Sequence, residues 1–205
     1  YGRVLRPGDG KEPTSIAYVQ CAGSSDKTLG IEYCSRVCCM YAIKQAMLVS
    51  GDLPLAEITI YYMDIRTFGK GYEQFYQNAQ AMGVEFIRGK VASIRQDKDQ
   101  NPIVKVELTE EGRIVERTHD LVILSLGMVP AIESNGVLRL DVGTDGFIAT
   151  PATNAEPCAT ARPGIFVTGT AMGPRDIVDS IVTASAAASS ASAYIRAHQK
   201  EPVYP

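Results

Sequence analysis

Residues 16–49 read IAYVQCAGSSDKTLGIEYCSRVCCMYAIKQAMLV, and the fold prediction starts from them. Residues 16–20 are a short, mainly apolar run of strand type, and residues 22–25 are a turn-rich loop of Ala, Gly and Ser. Residues 34–49 are rich in strong helix formers and are followed by Gly51, which predicts a helix over 34–49. The stretch therefore predicts a strand, a loop and a helix in succession.

The rest of the chain continues this alternation. Helices are predicted over residues 71–82 and 178–197, and further strands over 57–64, 84–94, 103–108, 113–117, 121–126 and 164–169. The segments 103–108 and 113–117 are expected to pair as a β-hairpin. Because strands that alternate with helices pair in parallel, the order predicts an α/β fold with a Rossmann-like parallel sheet.

Four of the five cysteines lie close together in the sequence, with the spacing C-x12-C-x3-C-C. They are Cys21, Cys34, Cys38 and Cys39. Neighbouring residues on a helix point about 100° apart, so Cys38 and Cys39 cannot both face one apolar core. The spacing leaves several interpretations open: an iron–sulfur cluster, a zinc site, redox-active thiols, a disulfide, or small buried apolar residues.

Two of these interpretations fit the sequence poorly. Zinc sites usually combine two closely spaced pairs of ligands, and His119 and His198 lie far from the cysteines. Disulfides are favoured in small secreted domains, whereas this chain has 205 residues and an odd number of cysteines.

Composition narrows the class of protein. A net charge of −3 and the absence of a Lys/Arg run argue against a nucleic-acid surface. No apolar run reaches the roughly 18 residues of a membrane span. Residues 1–13 are polar, which is unlike a signal peptide. Because free thiols without a secretion signal are typical of a reducing compartment, we expect a cytoplasmic location.

The loop after the first strand is where a parallel α/β fold would bind a dinucleotide phosphate. It lacks the G-x-G-x-x-G pattern, since only Gly23 precedes Gly30. A second strand–glycine–helix signal lies over residues 164–197. There Pro174 suits a first helical turn and Asp176 complements the helix dipole, so the helix start could face a flavin or phosphate, or simply pack on a sheet.

Three segments resemble a known family, the A subunit of heterodisulfide reductases. They are YCSRVCCMYAIKQA (33–46) preceded by QCAGSS (20–25), DIRTFGKGYEQFYQNAQAMGVEFIRGKV (64–91), and FVTGTAMGPRDIVDSIVTASAAA (166–188). The A subunit of the quinone-interacting membrane-bound oxidoreductase complex is a relative. The resemblance implies a fold like that of thioredoxin reductase, bound FAD and an iron–sulfur cluster. It also implies electron transfer within a multisubunit complex, in some members by flavin-based electron bifurcation.

The resemblance implies roles for individual residues. Cys34, Cys38 and Cys39, with Cys21 as the fourth ligand, would hold a [4Fe–4S] cluster, and Cys158 would be a bystander. Lys44 would approach the N5 edge of the flavin and stabilise its anionic reduced form. The residues implied to bind FAD are Gly169, Thr170, Gly173, Pro174, Asp176 and Ile177.

The resemblance also sets the domain organisation. Residues 1–15 would be an N-terminal segment, residues 16–130 a degenerate nucleotide-type domain of thioredoxin reductase type that carries the cysteines, and residues 131–205 the C-terminal strand–helix part of an FAD-binding domain. A complete member has a G-x-G-x-x-G upstream, so the expected partners are the missing N-terminal half of the FAD domain and other subunits.

Two functions follow, a redox module and a cofactor-free fragment that docks subunits. Disulfide reduction linked to NAD(P)H would need a C-x2-C pair and a nucleotide loop, and the sequence has neither.

Overall fold

The computed structural model describes residues 2–131, 138–151 and 155–199. The chain forms two compact units. Unit 1 comprises Tyr1–Ser25 and Val37–Gly127, and unit 2 comprises Asp26–Arg36 and Met128–Pro205. The predicted boundaries near residues 15 and 130 stay a prediction. No helix within the described ranges has both the length and the apolar character needed to cross a membrane.

Unit 1 is an α/β structure, as the sequence predicts. Its strands are β1 (Ser15–Ala22), β2 (Glu57–Tyr62), β3 (Glu85–Gln96), β4 (Pro102–Leu108), β5 (Arg113–Thr118) and β6 (Leu121–Leu126), and its helices are α1 (Cys38–Asp52) and α2 (Tyr72–Ala81). The sheet order is β5-β4-β3-β2-β1-β6. Strands β6, β1, β2 and β3 are parallel, whereas β3, β4 and β5 are antiparallel. The sheet is therefore mixed, because the predicted β4–β5 hairpin extends the parallel layer.

The core of unit 1 lies on both faces of this sheet. On one face, the buried side of α1 packs against alternate residues of β1 and β2, such as Ile16, Tyr18 and Ile60. On the other face, Ala17 and Val19 of β1 pack against β2 and β4. Burial on both faces is typical of parallel strands, and β1 is flanked by β2 and β6.

Helix α1 begins at Cys38, not at residue 34 as predicted. The physical reason is Arg36, whose φ of 61° lies in the left-handed region and cannot continue a right-handed helix. Cys34 therefore precedes the helix, while Cys38 and Cys39 are its first two residues.

Unit 2 contains the third helix, α3 (Ile177–His198), close to the predicted range of 178–197. The predicted strand over 164–169 is wrong. Phe166 makes a single bridge, to Ala159, and Gly169 already opens a 3-10 turn, Gly169–Met172. A segment with the residue pattern of a strand forms one only where a neighbouring strand supplies hydrogen bonds. Within the described residues, the segment 164–169 makes only the one bridge to Ala159.

A buried histidine of unit 1 lies between two hydroxyl groups. His119 Nδ1 lies 2.9 Å from Ser15 Oγ, and its Nε2 lies 2.9 Å from Tyr61 Oη. Burial lowers the pKa of His119, and the nearby Arg117 lowers it further. The acidic groups that act in the opposite direction are Glu85, Asp120 and Glu57.

We expect the free energy of unfolding to fall as the pH drops below about 6.5, the ordinary pKa of histidine. Because the pKa of His119 is lower in the folded chain, the unfolded chain binds this proton first, and protonation favours unfolding. Urea unfolding at pH 7.5 and 5.5 measures the change. A His119→Gln variant should lose this part of the pH dependence, whereas His198→Gln, at an exposed position, should retain it. Equal pH dependence in the two variants would contradict the assignment.

Candidate functional site

Strand β1 carries a bulge at its carboxyl end. The register with β6 shifts between Val19 and Ala22, so that Gln20 and Cys21 both lie opposite Ser125. The backbone of Cys21 is left-handed, with φ 57°. Such a conformation is uncommon for a residue with a side chain, and strained backbone of this kind concentrates at functional sites. A bulge also redirects the side chain of the extra residue.

Three thiols come together at this edge of unit 1. The side chains of Cys21 and, to a smaller extent, Cys39 hydrogen-bond to Cys38, and these bonds hold the pKa of the Cys38 thiol below its usual value against the opposing effect of burial. Cys39 Sγ also lies 3.7 Å from the carbonyl oxygen of Asp64. We call Cys21, Cys38 and Cys39 the thiol triad.

The start of α1 favours negative charge on the triad. Cys38 and Cys39 occupy its first turn, and the N-cap residue Val37 supplies no side-chain hydrogen bond to the helix N–H groups. The partial positive charge at a helix N-terminus stabilises thiolates and other anions. The triad is therefore suited to act as a set of thiolate ligands.

Three polar side chains lie near the triad: Gln20 directly precedes Cys21, Ser125 lies opposite the bulge, and Tyr41 interacts with all three thiols. Gln20 is 6% exposed and Ser125 is fully buried. Within the described part of the chain, neither polar atom of the Gln20 carboxamide has a hydrogen-bond partner. The Ser125 hydroxyl has no partner in good hydrogen-bond geometry there, but it lies close to the hydroxyl of Tyr41. Tyr41 donates to the carbonyl oxygen of Leu126 at 2.8 Å. The pKa of the Tyr41 phenol is raised, mainly by burial and to a smaller extent by the nearby Cys38 thiolate. The neighbouring Ser125 hydroxyl lowers this pKa. The sequence patterns did not single out these three polar side chains.

Cys34 belongs to unit 2, and its Sγ accepts a hydrogen bond from the backbone N–H of Arg36 at 3.3 Å. Arg36 forms a 2.8 Å ion pair with Asp179 of α3. Cys158 is buried in the same unit, and its thiol donates to the carbonyl oxygen of Thr183 at 3.3 Å. The predicted status of Cys158 as a bystander stays a prediction.

The residues of the structure that are described hold no group of three or more His, Cys, Asp or Glu arranged around a single metal ion. A [4Fe–4S] cluster makes a different demand, because each of its thiolates binds a different iron. Three adjacent soft sulfur ligands, with buried polar groups that lack partners beside them, fit the chemistry of such a cluster. Lys44 lies exposed on α1, and its predicted role stays a prediction.

The residues expected to bind FAD lie in and after the 3-10 turn of unit 2. The backbone N–H of Gly169 donates to Thr183 Oγ1 at 3.1 Å. Gly173 has a φ of 143°, and a Cβ added there would meet no atom within 4 Å. The backbone beside Gly173 is therefore open to close approach. The predicted FAD-binding roles of these residues stay predictions: Gly169, Thr170, Gly173, Pro174 and Ile177.

Asp176 is the N-cap of α3, and its carboxylate accepts from the backbone N–H of Asp179 at 2.7 Å. Pro174 consequently lies before the helix, not in its first turn as predicted, because the backbone of Asp176 is still extended.

We expect Asp176→Ala to lower the free energy of unfolding of unit 2 by about 1 kcal/mol, the usual effect of losing an N-cap. Thermal unfolding followed by circular dichroism measures the loss. Asp176→Asn keeps the acceptor oxygen and should remain close to the wild type. If both variants lose the same stability, then charge, not capping, is what Asp176 contributes.

No protein-family model matches the chain. It is 46% identical to an iron-sulfur A subunit of the CoB–CoM heterodisulfide reductase of Methanopyrus kandleri, over 96% of this chain and 31% of that protein. It is 42% identical to the A subunit of the H2:CoB-CoM heterodisulfide,ferredoxin reductase of Methanothermobacter thermautotrophicus, over 93% of this chain and 30% of that protein.

A third relative is the A subunit of the ferredoxin:CoB-CoM heterodisulfide reductase of Methanosarcina mazei, 46% identical over 92% of this chain and 24% of that protein. Among solved structures, the thioredoxin reductase of Lactococcus lactis matches with a TM-score of 0.60 at 17% identity, over 96% of this chain and 55% of that one. The thioredoxin reductase of T. acidophilum matches with a TM-score of 0.54 at 16% identity, over 90% of this chain and 53% of that one.

These structural matches confirm the predicted likeness to the thioredoxin reductase fold. The sequence matches confirm the resemblance to heterodisulfide reductase A subunits, although the chain spans only 24% to 31% of the length of these three relatives. Over nearly its whole length, the chain is therefore homologous to one segment of the heterodisulfide reductase A subunits.

Proposed function

We propose that this chain is an electron-transfer module of a heterodisulfide-reductase-like oxidoreductase complex. The observation that carries the proposal is the thiol triad, which a strained bulge and a helix start bring together. Buried structural cysteines have no need of such an arrangement. The names of the relatives, which are iron-sulfur or reductase subunits, support the same function.

In this proposal the triad supplies three of the four ligands of a [4Fe–4S] cluster. Cys34 is the fourth, on the basis of its place in the sequence motif, four residues before Cys38. The bulge orients Cys21, while the N-terminus of α1 stabilises the negative charge of Cys38 and Cys39. The role of the protein is to hold four thiolates and to exclude water around them.

FAD is the second proposed cofactor. When bound, the cluster would exchange single electrons and the flavin would exchange one or two. Residues 169–177 would form the segment that binds FAD. Within it, the Gly169 N–H donates a hydrogen bond to Thr183, and Gly173 leaves room for the cofactor to approach the backbone closely. Lys44 would supply a positive charge near the flavin. Flavin-based bifurcation would be a property of the whole complex with its other subunits.

A second candidate function is docking without cofactors, which an apolar surface on α3 favours. Its first two turns expose four large aliphatic side chains by 59% to 79%: Ile177, Val178, Ile181 and Val182. Exposed apolar patches usually mark interaction sites. Since the chain covers 55% of the Lactococcus lactis thioredoxin reductase, we propose that the remainder of the FAD domain packs on this surface. Docking and electron transfer are compatible.

The experiment that tests the redox function is reversible reduction of the reconstituted chain. After anaerobic reconstitution with iron and sulfide, we expect broad visible absorption that dithionite bleaches and that air-free oxidation with ferricyanide restores, together with an electron paramagnetic resonance signal in the reduced form. Absorption that dithionite leaves unchanged would contradict electron transfer and leave docking as the better account.

A further inference from the structure

Two buried polar side chains near the thiol triad have no partner in good hydrogen-bond geometry among the described residues. Gln20 is 6% exposed, and both atoms of its carboxamide lack a partner within the described residues. Ser125 is fully buried, and among the described residues its hydroxyl has no partner in good hydrogen-bond geometry, although it lies close enough to the Tyr41 hydroxyl to lower the pKa of that phenol. Burying such groups unpaired is costly, so native proteins seldom do it without a compensating contact. Two such cases in one place indicate that something else completes the site.

The bulge places both side chains at the triad. Gln20 immediately precedes Cys21, and the pair lies opposite Ser125. Alternate residues of a strand point to the same face of the sheet. Gln20 therefore shares a face with Ile16 and Tyr18 of β1, which pack against α1. Ser125 shares a face with Ile123 of β6, which belongs to the same core cluster. Both side chains therefore project from the face of the sheet that α1 covers.

Other groups at this position have partners. Tyr41 donates to the carbonyl oxygen of Leu126, and the triad thiols interact with one another. Gln20 Nε2 and Ser125 Oγ are thus buried donors at the same end and on the same face of the sheet as the start of α1, which carries Cys38 and Cys39. Sulfur atoms of an iron–sulfur cluster accept such hydrogen bonds, and these bonds are among the groups that set its reduction potential.

We propose that Gln20 and Ser125 are positioning residues that donate hydrogen bonds to sulfur atoms of the cluster and raise its reduction potential. The inference rests on the proposed function, since it takes the triad as ligands. Reduction adds one electron and makes the sulfur atoms more negative. A donor therefore stabilises the reduced form more than the oxidised form, which shifts the potential upward.

The test is a redox titration of the reconstituted full chain with dithionite, followed by electron paramagnetic resonance. We expect Gln20→Leu to disfavour the reduced form by about tenfold, which is a downward shift of about 59 mV for a one-electron couple. Gln20→Glu should shift the potential in the same direction, because it replaces the donor by an anion. Ser125→Ala should give a smaller downward shift.

Thr59→Val is the matched control. Thr59 is also a buried polar residue of the sheet, but its hydroxyl donates to Glu85 at 2.9 Å. We expect this variant to lose stability and to keep the wild-type potential. A potential that moves equally in Thr59→Val and Gln20→Leu would reflect general loosening and would overturn the inference.

A second readout needs no cluster. In the cluster-free chain, Gln20→Leu removes an unpaired buried group, so we expect the unfolding equilibrium constant to stay the same or to fall by up to about tenfold. A clear rise would show that Gln20 has a structural partner and would overturn the inference. If Gln20→Leu takes up no iron, this measurement of unfolding still tests whether Gln20 has a structural partner.

The outcomes separate the two proposals. A wild-type chain that takes up no iron contradicts the proposed function and the inference together. A wild-type chain that holds a cluster whose potential is unaffected by Gln20→Leu, Gln20→Glu and Ser125→Ala overturns the inference alone.

Discussion

Replacing Cys38 by alanine is expected to remove nearly all of the iron from the reconstituted chain. Cys38 is the central member of the triad, since both Cys21 and Cys39 hydrogen-bond to it. Its removal leaves two thiols of the triad in place, which is too few to complete a four-thiolate cluster together with Cys34. Iron content and visible absorption after anaerobic reconstitution measure the loss.

Cys158→Ala is the matched control for this prediction. Cys158 is as deeply buried as Cys38, but it lies in unit 2 and donates to the carbonyl oxygen of Thr183. This variant should keep the wild-type iron content, although it loses some packing. Unchanged iron in Cys38→Ala, or an equal loss in both variants, would contradict the ligand assignment.

The second large effect is expected at Ile43. This residue is fully buried on the face of α1 that packs against β1 and β2. We expect Ile43→Ala to lower the free energy of unfolding of unit 1 by about 3 kcal/mol, because it removes buried methyl and methylene groups and leaves a cavity. Because α1 carries two of the triad thiols at its start, the same change should also weaken retention of iron.

Leu48→Ala provides the comparison on the same helix. Leu48 is 60% exposed, so truncating it should change the free energy of unfolding by no more than about 0.5 kcal/mol. Urea denaturation of both variants measures the difference. If the two variants were equally stable, the packing of α1 on the sheet would be wrong.

The sequence predicted those parts of the fold that depend on local pattern. The alternation of apolar runs and helix formers located β1, β2, α2 and the β4–β5 hairpin to within a few residues. The spacing of the cysteines also singled out Cys21, Cys38 and Cys39, three side chains that the fold brings together. The start of α1 was misplaced because a left-handed Arg36 cannot be recognised from residue type.

The remaining features of the candidate site depend on tertiary structure. The bulge arises from the pairing of β1 with β6, strands that are about a hundred residues apart in the sequence. Within a run of strand type, Gln20 resembles an ordinary strand residue, and only its burial without a partner reveals it. Its position directly before a cysteine at the carboxyl end of a buried strand was the one available signal.

We propose that the cysteines of this chain hold a [4Fe–4S] cluster. The measurement that tests it most directly is iron and acid-labile sulfide per chain, on protein purified without air and then reconstituted anaerobically. We expect about four iron atoms and about four sulfides per chain, as four thiolate ligands imply. A chain that remains free of iron and sulfide after reconstitution would contradict the claim.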